Sequence, residues 1–208
     1  VPGLLASYLA AMAIHTLSSP MITRSLLLAT LLATALVATA DAALDLTATA
    51  PEEYVSSGLV YKRLVFKDDK RRVEMEFPPG WSVRDASPAR LELTPPGKGF
   101  ATALIQTQPA GSRALDEAAV KAIAEQALAA LPTDSQGGTV QSAGLDTDGS
   151  GSSEVILTYK SLGYTFRRSV RFVNLPNCPL VAQISAPEAE FQALYATFRR
   201  SVQSLNWN

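Results

Sequence analysis

Between Leu59 and Ala186 the chain repeatedly alternates apolar and polar residues, and it switches to a helical period only once before Pro187. That rhythm constrains the fold more than any other feature. Successive side chains of a strand point to opposite faces, so a period of two is satisfied only by a sheet that buries every second residue. Val60, Leu64 and Phe66 share one parity, and Lys67-Asp68-Asp69-Lys70 supplies a polar turn. Val73, Met75 and Phe77 then return on one face with Glu74 and Glu76 on the other, which is a hairpin signal. Pro78-Pro79-Gly80 ends the pair, because proline has no N–H to give to a ladder.

Trp81-Ser82-Val83 reads as a short extended piece. Leu91 and Leu93 mark a strand closed by Pro95-Pro96-Gly97, and Ala101, Ala103, Ile105 and Thr107 mark the next, closed by Pro109. Over 113–131 the period changes. Val120, Ile123, Ala124, Ala127, Leu128 and Leu131 fall on one helical face, Asp116 and Glu117 favour the positive end of the dipole, and Pro132 stops the run. A turn at Gly137-Gly138 is expected to lead into strands near 139–145, 153–160, 163–174 and 179–186, with Leu162-Gly163 as one of the links. A final helix begins at Pro187, in the first helical position. It carries Glu188 and Glu190 in its first turn and an apolar stripe of Phe191, Leu194, Tyr195, Phe198, Val202 and Leu205. Strand runs interrupted by one helix and ended by another predict an α+β fold with a central antiparallel sheet.

Two stretches resemble motifs of the PsbP-like superfamily, which includes PsbP itself and secreted proteins of the DcrB and LpqN type. One is Phe77-Pro78-Pro79-Gly80-Trp81-Ser82-Val83, similar to an early proline-then-tryptophan turn. The other is Phe198-x-x-Ser201-Val202-x-Ser204-Leu205 in the closing helix, where Leu205 stands in place of the family's usual phenylalanine. The resemblance covers roughly Leu59 to Trp207. It implies a central antiparallel sheet with helices packed on it in an α/β/α arrangement, a binding or assembly role, and no catalytic residues. Such a fold takes its role from its partner, so the fold alone does not select one.

The segment 21–42 has the form of a signal peptide. Met21 and Arg24 precede an apolar run through Leu26, Leu27, Leu28, Leu31, Leu32, Leu36 and Val37, and Ala38-Thr39-Ala40 and Ala40-Asp41-Ala42 offer small-residue exits. Residues 1–20 read as an upstream segment swept in by gene calling, with a longer leader or a retained anchor as the alternative. Residues 43–58 read as a flexible tether, and 59–208 as the PsbP-like domain. The expected address is periplasmic or extracellular, with contact to a membrane only through an uncleaved leader. Residues 1–42 hold one basic and one acidic residue, Arg24 and Asp41, so the net charge of −1 stays with the remainder. That balance argues against a nucleic-acid binder, which needs clustered positive charge to displace counterions.

Cys178 is the sole cysteine and His15, inside the segment expected to be lost, the sole histidine. A domain without histidine has no Ser-His-Asp triad, no Cys-His pair and no ordinary zinc site, so neither catalytic residues nor a cofactor nor a metal is expected. Asp146-x-Asp148-x-Ser150-Gly151 opens like a calcium loop, but its twelfth position is Leu157 where a bidentate acid is required, and it reads as a solvated turn.

Candidate contact residues are Lys70, Arg71 and Arg72 on the first hairpin and Arg168 farther on. The hairpin cations are interleaved with Asp68, Asp69, Glu74 and Glu76, a pattern that either protects a sheet edge or docks an acidic partner. Arg168 shares parity with Tyr164, Phe166, Val170 and Phe172; a buried arginine there needs a carboxylate, helix C-terminal carbonyls or a ligand. The expected function is therefore an exported, non-catalytic binding or assembly module for an envelope protein or a small apolar ligand. The alternative is a histidine-free hydrolase working through carboxylates and arginine.

Overall fold

The computed structural model describes residues 44–47, 50–68, 71–97, 99–108, 115–147, 151–175 and 178–207. In chain order the elements are β1 (Glu52–Ser56), β2 (Leu59–Asp68), β3 (Arg71–Glu76), β4 (Ser82–Ser87), β5 (Arg90–Thr94) and β6 (Thr102–Thr107). Then come α1 (Glu117–Ala129), β7 (Gln136–Leu145), β8 (Ser153–Ser161), β9 (Tyr164–Val173), β10 (Leu180–Pro187), α2 (Glu188–Gln203) and β11 (Asn206–Trp207). The fold is α+β, with all its strand pairs antiparallel. A seven-stranded sheet runs β4-β5-β6-β10-β9-β8-β7, and a four-stranded sheet runs β1-β2-β3-β11.

The position of α1 follows from that order. The chain leaves β6 in the middle of the large sheet and must reach its far edge before β7, β8, β9 and β10 walk back to pair with β6. Asp116 caps the helix, its carboxylate accepting the Ala119 N–H at 2.8 Å. Ala124 and Ala127 let α1 lie close over Val155, Leu157, Tyr159, Phe166 and Val170. The β8–β9 hairpin is joined by Leu162-Gly163 with φ of 52° and 79°, the two positive values of a type I′ turn.

On the opposite face of the large sheet, α2 shares the main core with the small sheet. Phe191, Phe198 and Val202 of the helix meet Leu64, Phe66, Val73 and Met75 from β2 and β3, and Leu91, Leu93, Ala103, Ile105, Ala182 and Ile184 from the large sheet. Each of the larger side chains contributes about 1.5–3 kcal/mol by leaving water. The expected α/β/α layering is present, and the small sheet is an addition to it.

Several expectations are corrected. The tether predicted over 43–58 is structured where it is described. Leu44 and Leu46 are 0% and 1% exposed, Asp45 bridges to Lys67, and Glu52–Ser56 pairs with β2 through a Ser57-Gly58 turn. Two leucines spaced to point the same way were enough to anchor a segment whose polar composition masked them. Pro187 is the N-cap, with ψ of 140°, and closes β10 before the helix begins at Glu188. Gly137 and Gly138 lie inside β7 at a ladder irregularity, because Gly138 passes under the end of α1. A Cβ there would stand 2.7 Å from Leu131 Cδ1. The extended piece at Trp81 continues into β4 and runs on to Ser87. The leader and upstream segments lie outside the described residues.

Replacing Leu46 by alanine is expected to lower unfolding free energy by about 2–5 kcal/mol, as for a buried leucine. Urea denaturation followed by circular dichroism reads this directly, and an unchanged midpoint would restore the tether reading.

Candidate functional site

The hairpin cations are engaged locally. Arg72 donates to Glu52 and Glu74, both at 2.6 Å, and Arg63 donates to the other oxygen of Glu74 at 2.7 Å. The bonds from Glu74 and Glu52 raise the pKa of Arg72 further. Lys70 and the Arg71 side chain lie outside the described residues. Glu74, one of the two strand carboxylates a hydrolase would recruit, is thus held between two guanidinium groups.

Arg168 is buried, and its partner is a helix end. Its Nη1 donates at 3.0 Å to the carbonyl of Ala130, the C-cap of α1, and its guanidinium lies 5.3 Å from the centre of the Tyr159 ring. A cation there satisfies an orphan carbonyl and complements the negative end of the helix dipole. Its neighbour of opposite parity, Arg167, lies over Phe191 at 5.2 Å. Arg171 pairs with Asp146 and comes within 4.0 Å of Glu154. The first acid of the calcium-like loop is therefore spent on an arginine; Asp148 and Ser150 lie outside the described residues. Among the described residues no cluster of histidine, cysteine, aspartate and glutamate is placed to hold a metal.

Glu154 belongs to a polar network beneath α2. It accepts from Ser169 Oγ at 2.6 Å and Tyr195 Oη at 2.9 Å, while Arg199 donates to Tyr195 Oη at 3.2 Å. Burial first, and then the Glu154 carboxylate, push the Tyr195 hydroxyl above its usual pKa.

A larger concave surface lies elsewhere, and no single stretch of the sequence marks it. The β2 strand pairs with β1 over its first half, Leu59 to Arg63, and with β3 over its second, Arg63 to Asp68. The β1–β2 ribbon therefore overhangs the small sheet, leaving Leu59, Val60 and Tyr61 exposed at 60%, 64% and 40%. Across from it stands the Pro78-Pro79-Gly80-Trp81 turn, closed by the Trp81 N–H donating to the Pro78 carbonyl at 3.2 Å. Trp81 stacks on Phe198 of α2 with ring centres 5.8 Å apart. Between ribbon, turn and helix lies a cleft of about 950 Å³, lined chiefly by apolar side chains, with Lys62, Glu76 and Arg200 among its charged residues. Lys62 is 3.6 Å from Glu53, and Arg200 has no ion pair among the described residues. The signal available in the sequence was the Leu59-Val60-Tyr61 run, too apolar for a strand with only one covered face.

No protein-family model matches the chain. No curated protein matches it either. Among solved structures the chain is similar to cyanobacterial PsbP from Synechocystis sp. PCC 6803, at 14% identity and a TM-score of 0.45, covering 82% of this chain and 96% of that one. It is also similar to PA94 from Pseudomonas aeruginosa, a protein of unknown function and putative regulator, at 16% identity and a TM-score of 0.41, covering 76% and 97%. A third is LpqN, involved in cell envelope biogenesis of Mycobacterium tuberculosis, at 16% identity and a TM-score of 0.33, covering 79% and 83%. Likenesses this distant concern the arrangement of elements and transfer no residue roles.

Two outcomes are expected. Arg168→Ala should cost about 2–3 kcal/mol in denaturant unfolding, since it empties buried volume and strands the Ala130 carbonyl, whereas Arg168→Met should cost less than half of that. The Tyr195 contribution depends on pH. Its folded pKa is raised, so its share of stability is complete below about pH 10 and is lost as pH rises beyond. Thermal melts between neutral pH and pH 11 should decline less steeply for Tyr195→Phe than for the parent chain.

Proposed function

We propose that this chain is an exported, non-catalytic binding module whose cleft takes a small apolar molecule ending in an acidic group, of the fatty-acid class. The observation that carries this reading is the cleft between the overhanging β1–β2 ribbon and the Pro-Pro-Gly-Trp turn. Its volume of about 950 Å³ falls in the range of single-ligand sites, roughly 300–1,000 Å³, and its lining is mainly apolar with a few charged groups. Lys62 and Arg200 outweigh Glu76 among the lining charges, which favours an anionic end on the ligand. The 21–42 leader supports export, and an exported carrier of amphiphiles needs no catalytic group.

The test uses the full-length gene expressed in a bacterial host and the product recovered from its envelope fraction, titrated with a dansyl-labelled undecanoic acid. Saturable fluorescence enhancement is expected, with energy transfer from Trp81 on the cleft wall. Leu59→Glu and Val60→Glu change exposed residues and should abolish the signal without shifting the thermal melt. Arg200→Gln should weaken binding several-fold for the acid and leave its methyl ester unaffected. Absence of saturable binding, or binding indifferent to the two glutamate variants, would overturn the assignment.

A further inference from the structure

The free edges of the two sheets are not protected alike. The edge strand β1 carries Glu52 and Glu53, and β4 carries Arg84 and Asp85 with a ladder irregularity between Val83 and Asp85. These are ordinary defences of an unpaired edge, because charges and bulges discourage a second strand from adding to it. By contrast β7, at the other end of the large sheet, runs ten residues, Gln136–Leu145, with no charged residue and no proline. All its residues are exposed except the half-buried Val140. Its ladder irregularities fall between Gln136 and Thr139 and between Val140 and Ser142, so Ser142 to Leu145 remain regular.

Beside that edge lies an open groove of about 690 Å³ between α1 and β7, floored by Val120, Ala124, Leu128, Val140 and Leu145. Glu117, Lys121 and Glu125 border it one helical turn apart, a row of alternating charge. The helix runs back along the strand, with Leu128 and Leu131 over Gly138, which sets Ser142 level with the middle of α1.

We infer that β7 is the self-association surface of this protein: two copies join antiparallel through β7 about a two-fold axis near Ser142, extending the seven-stranded sheet across both. An isologous contact requires a self-complementary surface, and the alternating row satisfies that. Lys121 and Glu125 are equally spaced about Ile123, so the two-fold sets each Lys121 against the partner copy's Glu125. Strands about 4.8 Å apart bring the two α1 helices side by side over the joint, where they cover both grooves. Hydrogen bonding of the free edge gives affinity, and burial of Val120, Leu128 and Leu145 adds apolar area. This surface is separate from the cleft and does not depend on the ligand proposed there.

The exported product is tested by sedimentation velocity from micromolar to millimolar concentration. A reversible monomer–dimer equilibrium is expected. The Asp146 N–H donates to the Ser152 carbonyl at 2.8 Å, so in this register Ser142 and Gly144 bond to β8 while Ala143 and Leu145 present their N–H groups to the free edge. Ala143→Pro should shift the equilibrium toward monomer at least tenfold, as should Lys121→Glu, while Val55→Lys on the β1 edge should leave it unchanged. Ser142→Cys should form a disulfide-linked dimer under mild oxidation, whereas Val55→Cys should not; the native Cys178 is only 3% exposed. Lys121→Glu combined with Glu117→Lys and Glu125→Lys should restore the dimer by inverting the row, an outcome that a mere folding defect would not give. A chain that stays monomeric throughout, a dimer insensitive to Ala143→Pro, or a β7 edge that binds extended peptides without self-association would each overturn the inference.

Discussion

The rest of the molecule depends on how α2 is held between two sheets. Its N-terminus grows directly out of β10, with Pro187 ending the strand and capping the helix. Its C-terminal turn is tied to the small sheet by side-chain bonds to strand backbone. Ser201 Oγ donates to the Glu76 carbonyl, and the Glu76 N–H donates to Ser204 Oγ at 2.7 Å. Beyond the helix, Asn206 and Trp207 pair with Glu74 and Val73 as the fourth strand. The small sheet would otherwise be a three-stranded ribbon with one apolar face, which is marginal by itself. Anchoring at Glu76 also sets where the chain turns into Pro78-Pro79-Gly80-Trp81, and the Trp81–Phe198 stack fixes that turn against the helix. The cleft wall is therefore a consequence of the same clamp.

Strand β9 brings three arginines under cover, and each is compensated differently. Arg168 takes a helix carbonyl and an aromatic face, Arg171 takes Asp146 from the β7–β8 connection, and Arg167 lies over Phe191. Unpaired, a buried charge is expensive enough to shift its pKa or prevent folding. The compensating groups come from four separate elements, so this strand locks α1, α2 and the 146 loop into register with the sheet. Polar burial here specifies the packing more than it adds to stability.

Much of the secondary structure was legible because amphipathic alternation is local. The β2–β3 and β8–β9 hairpins, the α1 stripe with its Asp116 cap, and the α2 stripe follow from residue spacing alone. Segments whose roles depend on distant partners were misread. Leu44 and Leu46 look like isolated residues in a polar linker until β2 and β5 supply the core they enter. The glycines at 137 and 138 look like a turn until α1 is laid across them. The cleft was illegible for the same reason: Leu59-Val60-Tyr61 and Pro78-Pro79-Gly80-Trp81 are separate in the chain, and only the overhang of β1–β2 makes them face one another.

Composition and periodicity alone determined the class, an antiparallel α+β domain, because burial of every second residue leaves no other economical arrangement. The single histidine and cysteine restricted its chemistry at the same level. Tertiary structure alone decided that there are two sheets, that Arg168 ends on a helix carbonyl, and that an apolar cleft stays open. Those features arise where elements remote in sequence meet. Whether an apolar side chain is covered is a property of that meeting and cannot be written in the residue itself.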